Sequence, residues 1–318
     1  NTSGYESFVT NIGEVSNKGF DFQLGGTIIK NDNFSWNSDF NISFINNKVK
    51  KLPGGNDIQQ TERYLFGGVV SILREGESLG SFYLYESNGV FSTAKEAAEA
   101  GYIDKISKSN GGQPVAGDAR WVDQNKDGVI DTKDKIIAGN PIPDFTGGLN
   151  NTFKYKGLSL DAFFQFSKGN DVYNNFRTDL VRGFNTNYLK ENLDAWKQEG
   201  DITDVPRNVL LDPANNSEGV VARPSTRFLE DGSFIKLKTV TLTYEFPNSV
   251  LEKLKLSGLK VYAKGTNLLT ITKYSGFDPE VSVAQNNNAG QNGGFQFGID
   301  RGLYPLSKSI TLGLSLDF

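Results

Sequence analysis

The sequence predicts an all-β fold, and more specifically a segment of an antiparallel transmembrane β-barrel. Three features predict it: strands with one apolar face, connections that alternate between short and long, and a composition rich in glycine and aromatic residues. The 318 residues include 35 Gly and 23 Phe, a combination that suits glycine turns between aromatic-bearing strands. No stretch approaches the roughly 20 uninterrupted apolar residues of a membrane-spanning helix.

Apolar and polar side chains alternate along much of the chain, which is the pattern of a strand with one apolar face. The clearest case is the end of the chain, where Ile310, Leu312 and Leu314 alternate with Thr311 and Gly313. The strands that we predict are 20–24, 34–44, 149–155, 158–166, 233–246, 258–270 and 309–318.

The connections between these strands fall into two length classes that alternate strictly. The short connections are 31–33, Lys156-Gly157 and 247–257, and the long ones are 51–143, 170–231 and 272–305. In an antiparallel meander, all the long connections then lie at one end. Outer-membrane barrels have this arrangement, with short periplasmic turns and long outer loops. We therefore expect the three long segments to be extracellular loops.

The alternative is a soluble β-sandwich or propeller, whose strands also alternate in polarity. Three loops of more than about 30 residues fit poorly into a compact soluble domain. The strand charges Asp39, Lys154, Asp161 and Asp317 also fall on the face opposite the apolar one. Both points favour the barrel.

One predicted strand departs from the pattern. Lys236 and Lys238 share the parity of Val240 and Leu242, which belong to the apolar face. Either the two lysines lie above the lipid at the outer rim, or a β-bulge near Thr239 resets the register.

Two short helices are predicted inside the long loops. The first, 93–100, begins with a Thr93-x-x-Glu96 capping box and ends at Gly101. The second, 188–199, carries an apolar stripe that we expect to pack the helix onto its own loop. The residues of this stripe are Leu189, Leu193 and Trp196.

The composition excludes most catalytic chemistry. The chain contains no Cys and no His, so it has no thiolate nucleophile, imidazole base or usual zinc site. Its net charge of −4 offers no basic patch for nucleic acid. We expect no enzyme activity and no nucleic-acid partner, and the cation best suited to the available oxygen ligands is a hard one.

Residues 123–134 match a calcium-binding loop. Side-chain oxygens stand at loop positions 1, 3, 5, 9 and 12, glycine stands at position 6, and position 7 offers a backbone carbonyl. The loop departs from an EF-hand because Asp134 replaces the usual Glu and no amphipathic helices flank it. We expect a structural Ca²⁺; the alternative is an acidic loop of Asx turns without an ion. The predicted ligands are Asp123, Asn125, Asp127, Val129, Asp131 and Asp134.

A series of motifs, in order along nearly the whole chain, carries a family resemblance. The motifs are 11–19, 74–83, the Asp123 loop with 139–146, 203–207, 227–238, 274–280 and 302–305. With them the chain resembles the C-terminal portion of a SusC/RagA-family TonB-linked outer-membrane transporter. The closing residues Thr311, Gly313, Leu316 and Phe318 resemble the terminal signal by which the barrel-assembly machinery recognises its clients.

The resemblance implies a barrel of about 22 strands in the outer membrane of a Gram-negative bacterium. It implies an N-terminal plug, energy from the TonB complex and a SusD-like surface lipoprotein as a lid. The cargo would be oligosaccharides or peptides too large for porins. About seven strands are too few to close such a barrel, and an open edge in lipid leaves backbone groups unsatisfied. We therefore expect the plug and the TonB-contacting region to lie outside these residues.

In this interpretation, residues 1–318 supply lipid-facing strands, polar lumen residues and calcium-pinned outer loops. Six loop aromatics are candidates for stacking on cargo, with packing inside the loops as the alternative: Tyr83, Tyr85, Trp121, Tyr173, Phe176 and Trp196. The alternative function is a calcium-dependent surface adhesion or binding module without transport.

Overall fold

The computed structural model describes residues 13–62, 68–107, 109–181, 188–209, 217–218, 221–281 and 297–318. Asn11 and Ile12 of the first motif lie outside these residues. Within the described part, seven long strands form one antiparallel sheet, and each strand pairs with its neighbours along the chain. We call this sheet the wall. Its strands, β1 to β7, are Glu14–Lys30, Phe34–Lys51, Phe145–Tyr155, Leu158–Lys168, Phe234–Glu245, Gly258–Thr272 and Ser309–Asp317.

The short connections lie at one end of the wall. The hairpin between β3 and β4 turns through Lys156 and Gly157, which both have positive φ, 46° and 70°. A two-residue hairpin loop of this kind requires positive φ at both positions, which glycine adopts without strain. The connection from β5 to β6 contains a short helix, α3, at Asn248–Leu254. The predicted tight turn is confirmed.

The two faces of the wall differ in polarity. One row of directly paired residues crosses all seven strands with only apolar side chains: Ile29, Trp36, Phe153, Leu160, Leu242, Ala263 and Leu312. The adjacent row, on the opposite face, is entirely polar: Thr27, Asn37, Thr152, Asp161, Thr241, Lys264 and Thr311. The predicted alternation is therefore confirmed across strands as well as along them.

The apolar face is exposed. Leu24 on β1 exposes 65% of its surface and Leu312 on β7 exposes 78%. A contiguous apolar surface across several strands is typical of contact with membrane or protein rather than water. Two polar groups on this face satisfy each other, since Trp36 Nε1 donates a hydrogen bond of 2.9 Å to Asn151 Oδ1.

A β-bulge explains the two lysines of β5. The pairing of β5 with both neighbours shifts between Leu237 and Thr239, so Lys238 is the extra residue. Leu237 and Val240 then both point to the apolar face, and the lysines point to the polar one. Of the two predicted alternatives, the bulge is confirmed.

The three long connections, 52–144, 169–233 and 273–308, leave the other end of the wall and have their own sheets. The first contains a four-stranded antiparallel sheet of Lys135–Gly139, Ser81–Tyr85, Gly68–Leu73 and Ile58–Glu62. It also contains two pairs, Ser87–Val90 with Ala119–Trp121 and Ile103–Asp104 with Val129–Ile130. The second contains the small pair Ser217–Glu218 with Val221–Ala222.

A three-stranded sheet joins the second and third loops. Asp171–Asn174 pairs with Leu229–Asp231 from its own loop and, in parallel, with Ile299–Asp300 from the third loop. The shared apolar core draws on all three loops and consists of Val70, Phe82, Leu84, Tyr173, Val181, Phe228 and Ile299. The loops therefore pack against one another at one end of the wall.

One of the two predicted loop helices is confirmed. Helix α1, Ala94–Ala98, begins after Thr93, whose hydroxyl accepts a hydrogen bond from the Glu96 amide. The prediction of a helix over 188–199 is wrong: a single 3₁₀ turn forms at Lys190–Asp194, and Ala195 is extended. The second loop instead has its helix, α2, at Asn175–Val181. No helix in the described part of the chain is long and apolar enough to span a membrane.

Candidate functional site

Three of the six aromatic residues proposed to contact cargo are buried. Tyr85, Trp121 and Tyr173 each expose 4% of their surface or less. Tyr173 packs against Phe82 and Phe228 in the shared core. A side chain without an exposed face cannot stack on a sugar or a peptide, so these three residues pack inside the loops, which was the alternative for them, and do not contact cargo.

Tyr85 and Trp121 surround a buried cation. The guanidinium of Arg223, which is fully buried, lies 4.5 Å from the centroid of Trp121 and 5.6 Å from that of Tyr85. Its Nη1 donates to Asp104 Oδ2 at 2.8 Å. The paired carboxylate and the aromatic faces offset the cost of removing the charge from water. Because Asp104 and Arg223 belong to different loops, this pair links the first loop to the second.

The other three aromatics are partly exposed. Tyr83 lies near two cations, 5.2 Å from the guanidinium of Arg74 and 5.6 Å from the Lys135 amine. The rings of Phe176 and Phe277 pack at a tilt of 41°, with centroids 5.5 Å apart, and Phe277 is 59% exposed. The Phe176–Phe277 pair is therefore more exposed than Tyr83, and it joins the second loop to the third.

Both the ring and the indole nitrogen of Trp196 contact the first loop. Its Nε1 donates to the Ser92 carbonyl at 3.1 Å. Its ring covers Gly117, where a β-carbon would overlap it. These contacts make Trp196 chiefly a joint between the second loop and the first.

In the predicted calcium loop, acidic side chains accept hydrogen bonds from backbone amides of the same loop. Asp123 accepts hydrogen bonds from the amides of Lys126, at 2.7 Å, and Gly128, at 2.8 Å. Asp127 accepts from the amide of Val129 at 3.0 Å. Lys126 and Gly128 both have positive φ, 58° and 77°. The glycine at position 6 therefore makes the tight turn that a calcium loop requires.

The far end of the loop has a similar arrangement. Asp131 and Asp134 form a capping box, and Asp134 is fully buried. Asp134 also accepts from the Gln124 amide at 3.0 Å. In the described part of the chain, no three acidic side chains come close enough together to hold a metal ion. The conformation has the turns of a cation loop with its carboxylates satisfied by backbone amides, and the Ca²⁺ prediction remains a prediction.

The four residues of the predicted assembly signal lie on or beside β7. Thr311 and Gly313 face the polar side, and Leu316 and Phe318 are exposed apolar side chains. In the described sheet, β7 pairs only with β6 and β1 pairs only with β2. Long edges of this kind need a partner strand, because their unpaired backbone groups would otherwise face lipid.

The sequence patterns did not identify a cluster of four charges at the bulge. Lys236 and Lys238 of β5 pair with Asp278 and Glu280 of the third loop. The one sequence feature that pointed to this cluster was that the two lysines share the parity of the apolar residues of β5. Their partners lie some forty residues away, and nothing in the local pattern assigned those partners to them.

These features define the class of protein: the wall of a transmembrane β-barrel whose long loops pack together at one end. No family model matches the chain. Among curated proteins it is 36% identical to TonB-dependent receptor P3 and 34% identical to TonB-dependent receptor P26 of Formosa agariphila, in each case over 99% of this chain and 30% of the receptor. It is 27% identical to TonB-dependent receptor SusC of Bacteroides thetaiotaomicron, over 97% of this chain and 27% of SusC.

Solved structures give the same result. The chain matches the structure of the RagAB peptide transporter with a TM-score of 0.71 and 28% identity, and the RagAB peptide importer in its open-open state with a TM-score of 0.73 and 27% identity. Both matches cover 100% of this chain and 31% or 30% of the other chain. The predicted resemblance is confirmed: along nearly its whole length this chain is similar to TonB-dependent receptors, SusC among them, and to the RagAB structures, and it spans about 30% of the length of these proteins.

Proposed function

We propose that this chain is part of a SusC-like, TonB-dependent importer in the outer membrane of a Gram-negative bacterium. The observation that carries the proposal is the pair of adjacent rows that cross the wall, one entirely apolar and one entirely polar. A wall of this kind separates lipid from a polar interior. The similarity of 99% of this chain to a TonB-dependent receptor supports the proposal that import is energised by TonB, through a region of the receptor outside these residues.

The loops would serve the outer entrance. We propose that they form part of the cargo cavity and of the contact with a SusD-like surface lipoprotein. The cargo would be a peptide or an oligosaccharide, and the RagAB structures, described as those of a peptide importer, support the peptide. Of the three predicted aromatics that are partly exposed, Trp196 is engaged between two loops, so the cargo contacts that we propose are Tyr83 and Phe176. Phe277 joins them as a third cargo contact. No role in catalysis is proposed for any residue.

We also propose that residues 123–134 bind a structural Ca²⁺. The donor set consists of carboxylate, amide and carbonyl oxygens, which suit this ion. Asp123, Asn125, Asp127, Val129, Asp131 and Asp134 would hold it. Binding would draw carboxylates away from the backbone amides that they accept from now. The ion would then stabilise the first loop.

The test of the proposed function is uptake by the full-length receptor in its native host. The receptor gene is deleted and restored, and cells are given labelled peptides or labelled oligosaccharides of equal size. We expect one class to accumulate only in the restored strain, and accumulation to stop when TonB is disrupted. Uptake that survives the loss of TonB, or of the receptor, would contradict the proposal.

A further inference from the structure

The third loop begins, just after β6, with a short segment that folds back onto the wall. We call residues 274–280 the strap. Glu230 fixes its start, because the carboxylate accepts from the Ser275 amide at 2.7 Å and from the Ser275 hydroxyl at 2.8 Å. Tyr274 donates its hydroxyl hydrogen to Asp300, further along the same loop. The strap is therefore anchored to the second loop and to its own loop at one end.

The other end of the strap is held by charge. Lys236, only 2% exposed, contacts both Asp278 and Glu280, with 2.6 Å from its Nζ to Glu280 Oε2. Lys238 reaches the same Glu280 oxygen at 2.7 Å. Two positive and two negative groups meet, so the cluster is neutral. A buried ammonium group is costly unless it is paired and hydrogen-bonded, and the strap supplies both of its carboxylate partners.

The bulge in β5 is what makes this cluster geometrically possible. Without an extra residue, the lysines would share a face with the lipid-facing residues that follow them. With Lys238 as the bulged residue, Leu237 and Val240 keep the apolar face while both lysines reach the polar one. Bulges commonly redirect side chains at such positions.

The cluster also reaches the returning leg of the third loop. Asp278 accepts from the backbone amide of Glu280 at 2.9 Å, and the amide of Leu306 lies close enough to lower the pKa of Asp278. One carboxylate thus ties the outgoing leg, the wall and the returning leg together. By contrast, Ile299 of the same loop lies in the shared apolar core and pairs with the second loop. The third loop is held in two different ways, apolar in its middle and ionic at its base.

We propose that Lys236, Lys238, Asp278 and Glu280 form a charge clasp that holds the strap and residues 303–308 on the polar face of the wall. The clasp makes residues 276–280 and 303–308 a unit that opens while the anchors of Tyr274 and Ser275 to the loop core stay closed. That the clasp lies along the cargo path rests on the proposed function. That it can open locally does not rest on it.

Hydrogen exchange of the full-length receptor, purified in detergent, tests the clasp without any measurement of transport. The variant is Glu280→Gln, which keeps the shape and removes the charge shared by both lysines. The conservative Glu280→Asp keeps the charge. The matched control is Glu99→Gln, in an exposed pair with Lys95 at 4.0 Å, which we expect to change nothing.

In Glu280→Gln we expect amides of 276–280 and 303–308 to exchange at least about tenfold faster, while the Ser275 amide, the amides of 298–300 and those of the wall are unchanged. Glu280→Asp should recover most of the protection. Unchanged exchange in the strap would overturn the clasp. Faster exchange throughout the loops and wall would also overturn it, because the carboxylate would then act on the whole fold.

Discussion

The ring of Tyr262 lies over Gly313 of the neighbouring strand, and a β-carbon at position 313 would overlap that ring. The two residues are directly paired between β6 and β7. Gly313 is part of the predicted assembly signal, so the missing side chain has a structural reason. A glycine at this position leaves room for the Tyr262 ring on the polar face of the last strand.

Replacing Gly313 by alanine should therefore impair the wall. Overpacking of this kind costs about 1–3 kcal/mol, and we expect a smaller fraction of the full-length receptor to reach the heat-resistant, folded form in the outer membrane. The control is Gly26→Ala, also in a wall strand, where a β-carbon meets nothing within 4 Å. Equal folded fractions for the two variants would contradict the prediction.

The buried pair of Asp104 and Arg223 predicts a large effect of charge removal. Asp104→Asn keeps an oxygen for the amides of Ile106 and Ser107 but leaves the guanidinium unpaired. Breaking a buried pair costs about 3–5 kcal/mol. We expect the first and second loops to become sensitive to limited proteolysis while the wall remains intact.

A double change checks the cause of that effect. Replacing Asp104 by Asn and Arg223 by Met removes the unpaired charge together with the pair, and such apolar replacements are often neutral. Much of the protease resistance should return. If the double variant is as sensitive as the single one, the buried charge is not the cause.

The Ca²⁺ proposal predicts a saturable site. Calorimetric titration of the full-length receptor should show one ion bound through residues 123–134, with a Kd of roughly 10⁻⁴–10⁻³ M, the range of extracellular modules. Asp123→Ala and Asp127→Ala should each abolish the binding heat. The control is Asp57→Ala, which removes an acidic partner of Arg74 elsewhere in the first loop. Identical titrations for all variants would rule the site out.

The strap should respond to acid. Burial opposes ionisation of Asp278, but the hydrogen bond and charge of Lys236 and the amides of Glu280 and Leu306 outweigh it and keep the pKa of Asp278 below its usual range. A carboxyl group with a lowered pKa stabilises the fold above its ordinary value of about 3.9, and this contribution disappears as pH falls through the lowered value. We expect protection of the strap amides, corrected for intrinsic exchange, to hold at neutral pH and to fall in that acidic window.

The variant Asp278→Asn provides the comparison for this pH series. Its strap should be less protected at neutral pH, and the additional loss in acid should be reduced. An acid transition of unchanged size in Asp278→Asn would assign the response to another group.

The wall was predictable because its determinants are local. The alternation of apolar and polar residues and the Lys156-Gly157 turn are each defined by a few neighbouring residues, and each predicts one structure. The parity of Lys236 is equally local and leaves two alternatives. The loops were less predictable because their contacts are remote. Trp196 is positioned by Ser92 and Gly117, more than 75 residues earlier in the chain, and Ala195 is extended rather than helical.

Aromatic composition alone also could not separate cargo contacts from packing. Tyr83 and Tyr85 are two residues apart on one short strand, yet Tyr83 is partly exposed and Tyr85 faces the buried Arg223. Partners from the second loop decide this difference. The acidic partners of Lys236 were hidden for the same reason, since they belong to the third loop.

The central claim is that one face of the wall contacts hydrocarbon and the other faces a polar interior. The most direct measurement places single cysteines at Leu160 and Asp161, and at Leu242 and Thr241, for spin labelling of the full-length receptor in lipid bilayers. Labels at 160 and 242 should collide preferentially with oxygen, which partitions into lipid. Labels at 161 and 241 should collide preferentially with a water-soluble nickel complex. Equal accessibility of neighbouring positions, or the reverse alternation, would contradict the claim.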